Sequence, residues 1–254
     1  MPAAEVVKSV ARVLEVLELF AQRREPLTGM EVCRTLGYPK SSANAILKSL
    51  VTLGYLSLNP ENLRYFPSLR VTYLGDWVPD LLLGTVETDE MLEELHRLTG
   101  ETVTLSMRNE FHMQFIRVLP GSFPISLRVS EGFMAPLFGT AVGAAYLSTL
   151  SDADIRGLYE RAQKRGALEG QEQNLDAVLA DVAAARMDGC ARGYERILPD
   201  TGAVTAPLKA GAHDQHLVVG VGGLSARIRR SEGKIVRHLK RVIRQHLENS
   251  RHAA

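Results

Sequence analysis

Within nine residues the chain gathers Lys40, Ser41, Ser42, Asn44 and Lys48, side chains that share one chemistry. Ammonium groups suit phosphate, hydroxyls suit phosphate or a base edge, and an asparagine amide makes two hydrogen bonds to an adenine edge. Together they read as a surface for double-stranded DNA. The other reactive residue types assemble nothing comparable. His213 and His216 flank Asp214-Gln215 in an expected turn with no third ligand within reach, so solvated turn residues explain them better than a metal site. Gly220-Val221-Gly222-Gly223 lacks the Lys-Ser/Thr of a phosphate loop and the spacing of a dinucleotide loop. Ser231 and Lys234 match a Ser-x-x-Lys nucleophile by letters only, at a charged helix start. Cys190, beside Gly189, reads as a small buried apolar residue. No catalytic residue, metal ligand or cofactor site is predicted, and the chain does not read as an enzyme.

What must position the polar set is a pair of short helices. Thr28 followed by Glu31 is a capping box: the hydroxyl accepts from a backbone N–H one turn in, and the carboxylate reaches back to the cap. Val32 and Leu36 share one face, and Gly37 ends the helix because it tolerates positive φ. Tyr38-Pro39 turns the chain. The next helix starts at Lys40, with Ala43, Ile46, Leu47 and Leu50 at helical spacing on its inner side. Two short helices joined by such a turn are the helix-turn-helix shape, whose second helix lies in the major groove. Residues 54–58 and 63–66, around Asn59-Pro60-Glu61-Asn62, then read as a hairpin. That hairpin is a wing, with Arg64 placed to touch backbone phosphate. The alternative is a small helical bundle with solvated polar faces.

The 254 residues suffice for two modest domains, and 45% hydrophobic with 23% charged residues is ordinary soluble globular composition. No run approaches the ~18 apolar residues of a membrane span. Charges from Glu5 to Glu18 interrupt any signal-peptide core, and Cys33 and Cys190 make neither a disulfide framework nor a metal site. A reducing cytoplasm fits. Net charge is only +1, but residues 1–75 hold nine Lys/Arg against six Glu. That mild excess implies a loose grip by one copy and a firmer one by two.

Taken in order, residues 5–21 predict an amphipathic helix with Val6, Val10, Val13, Leu14, Leu17 and Phe20 inward. Residues 67–77, with Leu69, Val71 and Leu74, are expected to close the first domain. A helix over 80–99 follows, either a connector whose Leu81–Leu83 pair with a second copy or an element packed wholly in the second domain. Strands are expected at 102–107, 111–119 and 125–129, then a loop into a tightly packed helix over 136–150. Ser151 caps a helix to about Lys164, and 174–187 is Ala-rich helix. Strands at 194–198, 203–208 and 217–221 precede a final amphipathic helix over 229–248, whose basic side is a solvated face or else a membrane or DNA flank.

In this frame the sequence resembles the IclR family of bacterial transcription regulators. The likeness lies in Gly37-Tyr38-Pro39-Lys40-Ser41-Ser42-Ala43 with Leu53-Gly54-Tyr55-Leu56, in the stretch from Leu98 to Leu105, and in Pro136-Leu137, Thr140-Ala141-Val142-Gly143 and Ala206-Pro207. The resemblance implies an α+β protein: a winged helix-turn-helix over 1–77, a linker helix over 78–99 and a GAF-like α/β effector-binding and oligomerisation domain over 100–254. It implies homodimers or homotetramers on operator DNA, and DNA contacts from Thr28, Lys40, Ser41, Ser42, Asn44, Lys48 and Arg64. It also implies an effector site at Leu127, Val129, Ala135, Thr140, Ala141, Val142, Ala203, Thr205, Gly220 and Gly222, for a small organic acid from a catabolic pathway.

The sequence departs from the family where Ala45 stands in place of a basic residue, where Ala144 replaces a Lys, and where Gly220 and Gly222 replace hydroxyl residues. The stretch 194–207 is also short. A glycine-lined wall predicts a roomier pocket, or backbone N–H groups in place of side-chain hydroxyls, and favours an aromatic or bulky ligand over a two- or three-carbon acid. The competing function is a small-molecule binding protein or enzyme whose N-terminal helices serve only dimerisation.

Overall fold

The computed structural model describes residues 7–78, 88–168, 174–209 and 216–252. The chain divides into two compact units, Met1–Pro79 and Asp80–Ala254.

The first unit runs α1 (Lys8–Arg23), β1 (Leu27–Thr28), α2 (Gly29–Leu36), α3 (Lys40–Thr52), β2 (Leu56–Asn59) and β3 (Arg64–Pro67), then a 3-10 turn over Leu69–Leu74. Its core joins Val16, Leu19 and Phe20 of α1 to Leu27, Val32, Leu47, Leu50 and Leu56. The inward face of α1 is therefore rotated from the expected one. Val13 and Leu17 are partly buried, but Val10 and Leu14 are exposed because the Val16–Leu19–Phe20 seam meets the core instead. The capping box forms: Glu31 N–H donates to Thr28 Oγ1 at 3.3 Å and Thr28 N–H to Glu31 Oε2 at 2.7 Å. Gly37 ends α2 at φ 67°. β3 lies between β1 and β2, antiparallel to both, with Arg64 opposite Thr28 on one side and Asn59 on the other. Residues 67–77 come at the end of the first unit, with Leu69, Tyr73, Leu74 and Trp77 exposed.

The second unit is built on a six-stranded antiparallel sheet. Its elements are α4 (Thr88–Thr99), β4 (Thr102–Asn109), β5 (His112–Leu119), β6 (Met134–Pro136), α5 (Ala141–Leu147), α6 (Asp152–Lys164), α7 (Leu175–Asp188), β7 (Ala191–Tyr194), β8 (Thr201–Lys209), β9 (His216–Leu224) and α8 (Ser225–His252). The strand order is β6-β5-β4-β9-β8-β7. Strand alternation sends Val103, Leu105, Val219 and Val221 to one face, where they pack with Met91, Leu92 and Leu95 of α4 and Ile235, Leu239 and Val242 of α8. The other face meets α5 and α7 through a cluster that includes Phe115, Val142, Ala145, Val182 and Val218. Helix α4 packs within this unit; residues 80–87, the first part of the expected connector, lie outside the described residues, as do the Ala210-Gly211 turn and His213.

Two predicted strands are misplaced. Residues 125–129 join no ladder: the Leu127 carbonyl accepts from Thr102 Oγ1 at 2.7 Å and the Ile125 carbonyl from Arg227 Nη2 at 3.2 Å. Side chains thus take the place of a neighbouring strand. Likewise the 194–198 strand is Ala191–Tyr194, and residues 195–200 form a turn.

Candidate functional site

Two sites emerge, one in each unit. In the first, Lys40, Ser41 and Lys48 lie exposed on α3, Lys40 at its first turn and Ser41 and Lys48 on the side away from the buried Ala43, Leu47 and Leu50. Neither lysine has an acidic partner among the described residues. Ser42 and Asn44 are half-buried at the edges of this face. Arg12 of α1 stacks over the Tyr38 ring at 5.1 Å and donates to Ser42 Oγ at 3.1 Å, which ties α1 to the start of α3. Asn44 leans over α2: a Cβ at Gly29 would lie 3.1 Å from its Oδ1. Thr28 spends its hydroxyl in the capping box, where it holds the N-terminus of α2. Arg64 is turned inward. Its Nη1 donates to the Pro26 carbonyl at 2.7 Å and to Glu31 Oε2 at 3.3 Å, so it fastens the wing to the capping box rather than reaching off the wing. The wing tip, Pro60 to Leu63, carries Glu61 and no cation.

The second site is a cavity on the α5 face of the sheet, with about 620 Å³ of space between its atoms, open mouth included. The same alternation that makes Val103 and Leu105 core residues turns Thr104 to this face. Thr104, Gly220 and Thr205 are neighbours across β4, β9 and β8 and form its floor, with Ala203 and Gly222 in the next row. The roof is Leu127 and Val129 of the extended segment, whose position Thr102 and Arg227 set through the bonds above. Arg227 is in turn paired with buried Glu101, by Nε to Oε1 and by Nη2 to Oε2 at 2.7 Å, and its guanidinium sits 4.0 Å from the Phe123 ring centroid. Phe115 and Phe133, rings 5.4 Å apart, close one side; Ala141 and Val142 of α5 another. The 195–200 turn brings Arg196, Ile197 and Leu198 to the mouth.

Of the predicted effector residues, Leu127, Val129, Ala141, Val142, Ala203, Thr205, Gly220 and Gly222 line this cavity and two do not. Ala135 is wholly buried in the core beneath it. Thr140 is the buried N-cap of α5, its hydroxyl accepting from Gly143 N–H at 3.1 Å and donating to the Pro136 carbonyl at 2.8 Å. The glycines do not enlarge the chamber, because neighbours close in: a Cβ on Gly220 would lie 2.7 Å from Thr104 Oγ1, and one on Gly222 2.9 Å from Leu127 Cδ2. Sequence reasoning missed Thr104, Phe115, Phe133 and the mouth turn. The polar row in the 102–107 alternation was the available signal for Thr104.

Residues 9–60 match the IclR helix-turn-helix domain, and residues 85–246 match the bacterial transcriptional regulator IclR C-terminal domain. The chain belongs to the IclR family. This regulator is 26% identical to the HTH-type transcriptional regulator XynR of Escherichia coli over 190 residues, 75% of either chain. It is 26% identical to the glycerol operon regulatory protein of Streptomyces griseus over 235 residues, covering 89% of this chain and 87% of that one. The crystal structure of Thermotoga maritima IclR shares the fold, with a TM-score of 0.68 at 16% identity over 94% of this chain and 98% of that one. It is thus an α+β transcriptional regulator and not an enzyme: a helix-turn-helix unit that binds DNA and an effector-binding unit. None of the described helices is long and apolar enough to cross a membrane.

Proposed function

We propose that this regulator acts in the cytoplasm as a homodimer or homotetramer, binds an operator, and controls a catabolic operon in response to a small organic acid, aromatic acids foremost. Residues 1–77 serve as the DNA-reading head, 78–99 as the connecting helix and 100–254 as the effector and oligomerisation domain. The observation that carries the reading is the exposed surface of α3, where Lys40, Ser41 and Lys48 have no side-chain partner among the described residues. On it the lysines meet phosphate, and Ser42 and Asn44 meet base edges. Thr28 and Arg64 hold the N-terminus of α2 and the wing in register beside it. The cavity supports the acid: its walls are mostly apolar, with Phe115 and Phe133 suited to a ring. An operon as target is supported by the Streptomyces griseus relative, a glycerol operon regulatory protein.

Effector and DNA are coupled by population shift. A ligand alters operator affinity only as far as it prefers one arrangement of the paired heads, and ~1–3 kcal/mol of preference gives a ~5–150-fold change. The test is a footprint of the gene's own upstream DNA, with and without metabolites of the neighbouring pathway. Protection of a discrete site, altered by one metabolite, is the expected result. The double variant S42A/N44A loses the site and keeps the metabolite. Binding with no preference for the upstream region sinks the reading.

A further inference from the structure

We propose that Arg196 is the carboxylate-binding residue of the cavity, and that it makes the chamber selective for singly charged acids with an apolar body. The proposal rests on the reading of this cavity as the effector site. Among the described residues Arg196 is the only charged side chain lining the cavity, and it has no hydrogen bond or ion pair there. Three other arginines of this unit, by contrast, are committed. Arg192 bonds Asp188 at 2.6 Å and Glu232 at 2.7 Å, Arg227 is paired with Glu101, and Arg229 lies 3.8 Å from the Tyr194 ring centroid. A guanidinium left unpaired at the mouth of an apolar slot is placed for the planar, two-pronged grip that arginine gives a carboxylate.

The turn that carries it is fixed at both ends. Glu195 and Asp200 stand at φ 59° and 56°, the left-handed region that side chains rarely enter. Glu195 N–H donates to the Thr201 carbonyl at 2.7 Å, and Ser225 N–H donates to the Asp200 carbonyl at 2.8 Å. The Glu195 carboxylate accepts from Ser225 Oγ at 3.3 Å and the Thr201 hydroxyl donates to the Leu198 carbonyl at 2.7 Å. Deep in the chamber, Thr205 spends its proton on the Ala141 carbonyl at 2.8 Å, whereas Thr104 has no hydrogen-bond partner among the described residues. A ligand therefore places its carboxylate at Arg196, its apolar body against Phe115 and Leu127, and any polar substituent at Thr104. A second carboxylate would be buried against apolar wall with no cation to meet it, which is unfavourable.

Calorimetry on the full chain tests this with benzoate and hexanoate, their amides, and the dicarboxylate adipate, in wild type, R196K and R196Q. Wild type is expected to bind benzoate or hexanoate at least about tenfold tighter than the matching amide and than adipate. R196Q brings acid and amide level, and R196K retains part of the preference. Without ligand R196Q melts with wild type, because Arg196 has no partner to lose among the described residues. Acid and amide bound alike, R196Q binding acid as wild type does, or no acid bound at all would each overturn the assignment. Operator binding measured on the same preparations separates the two readings. Intact footprints with no acid preference leave the regulator and remove Arg196, and an acid preference without footprints does the reverse.

Discussion

A single absent methyl group decides how α5 meets the rest of the second unit. A Cβ at Gly143 would lie 1.7 Å from the Leu137 carbonyl oxygen and 2.6 Å from its carbon, backbone atoms of a buried residue that have nowhere to retreat. Gly143→Ala is expected to destabilise that unit by ~3 kcal/mol or more, or to prevent its folding, by forcing the loop over 137–140 off the helix. Gly233 is the opposite case. It is exposed on α8, and an added Cβ meets only the flexible end of Arg237 at 3.6 Å. Gly233→Ala is expected to raise stability by ~0.5–1 kcal/mol through helix propensity alone. Urea denaturation of the two variants measures both signs, and equal destabilisation would refute this account of Gly143. The residue scale also explains which site residues were unreadable. Thr140 carries a hydroxyl of the kind that binds ligands, but it is spent locally, accepting from Gly143 N–H as the cap and donating to the Pro136 carbonyl. Arg196 was hidden because its segment looks like a strand, where apolar Ile197 and Leu198 draw attention and a charged neighbour reads as the wet side.

The elements that could be read from sequence are those whose signals are local. The capping box of α2, the Gly37 stop, the Ser151 cap of α6 and the Thr/Val alternation of β4 each depend on residues within one turn or one strand, and each forms. The two misplaced strands depend on distant partners. Residues 125–129 have strand composition but meet Thr102 and Arg227 rather than a ladder, and the 195–200 turn is held by Ser225 at the start of α8. Helix α2 yields a prediction at this scale. Thr28 bonds, by backbone first and side chain second, hold the Glu31 carboxyl below its ordinary value of 4.5, with Arg64 and Arg23 adding to the effect and slight burial opposing it. A carboxyl depressed in the folded state adds stability that is present above the unfolded value and is lost as pH falls through the folded one. The cap on α2 should therefore weaken as pH drops below about 4.5. Thr28→Ala is expected to cost ~1 kcal/mol at neutral pH and to lessen this acid dependence, the backbone N–H of residue 28 keeping its share. Amide exchange along α2, followed from pH 6 to pH 3.5, checks both, and an unchanged acid response in the variant would detach Glu31 from its cap.

At the scale of the whole molecule, charge sets how many heads must act. The first 75 residues exceed neutrality by three positive charges, and the wing tip offers Glu61 where a phosphate contact was expected, with Arg64 turned inward. On the proposed reading one head would depend on the α3 lysines and helix termini for its grip, which is weak for a specific complex at physiological salt. Two heads on one operator double each contact without any new residue. Salt dependence reads that number directly. Each lysine–phosphate contact contributes ~0.9 to the slope of log affinity against log salt. Removing one lysine per chain should lower the slope by ~0.9 if a single head is engaged and by ~1.8 if two are. Lys48→Ala tests this cleanly, since the side chain is exposed, caps nothing and pairs with no carboxylate among the described residues. The expected outcome is a slope reduced by ~1.8, with affinity lost equally on matched and mismatched operators because phosphate contacts carry no sequence information. A slope unchanged by both Lys40→Ala and Lys48→Ala would mean that α3 does not face the duplex, and the DNA-reading surface would have to be sought elsewhere on the first unit.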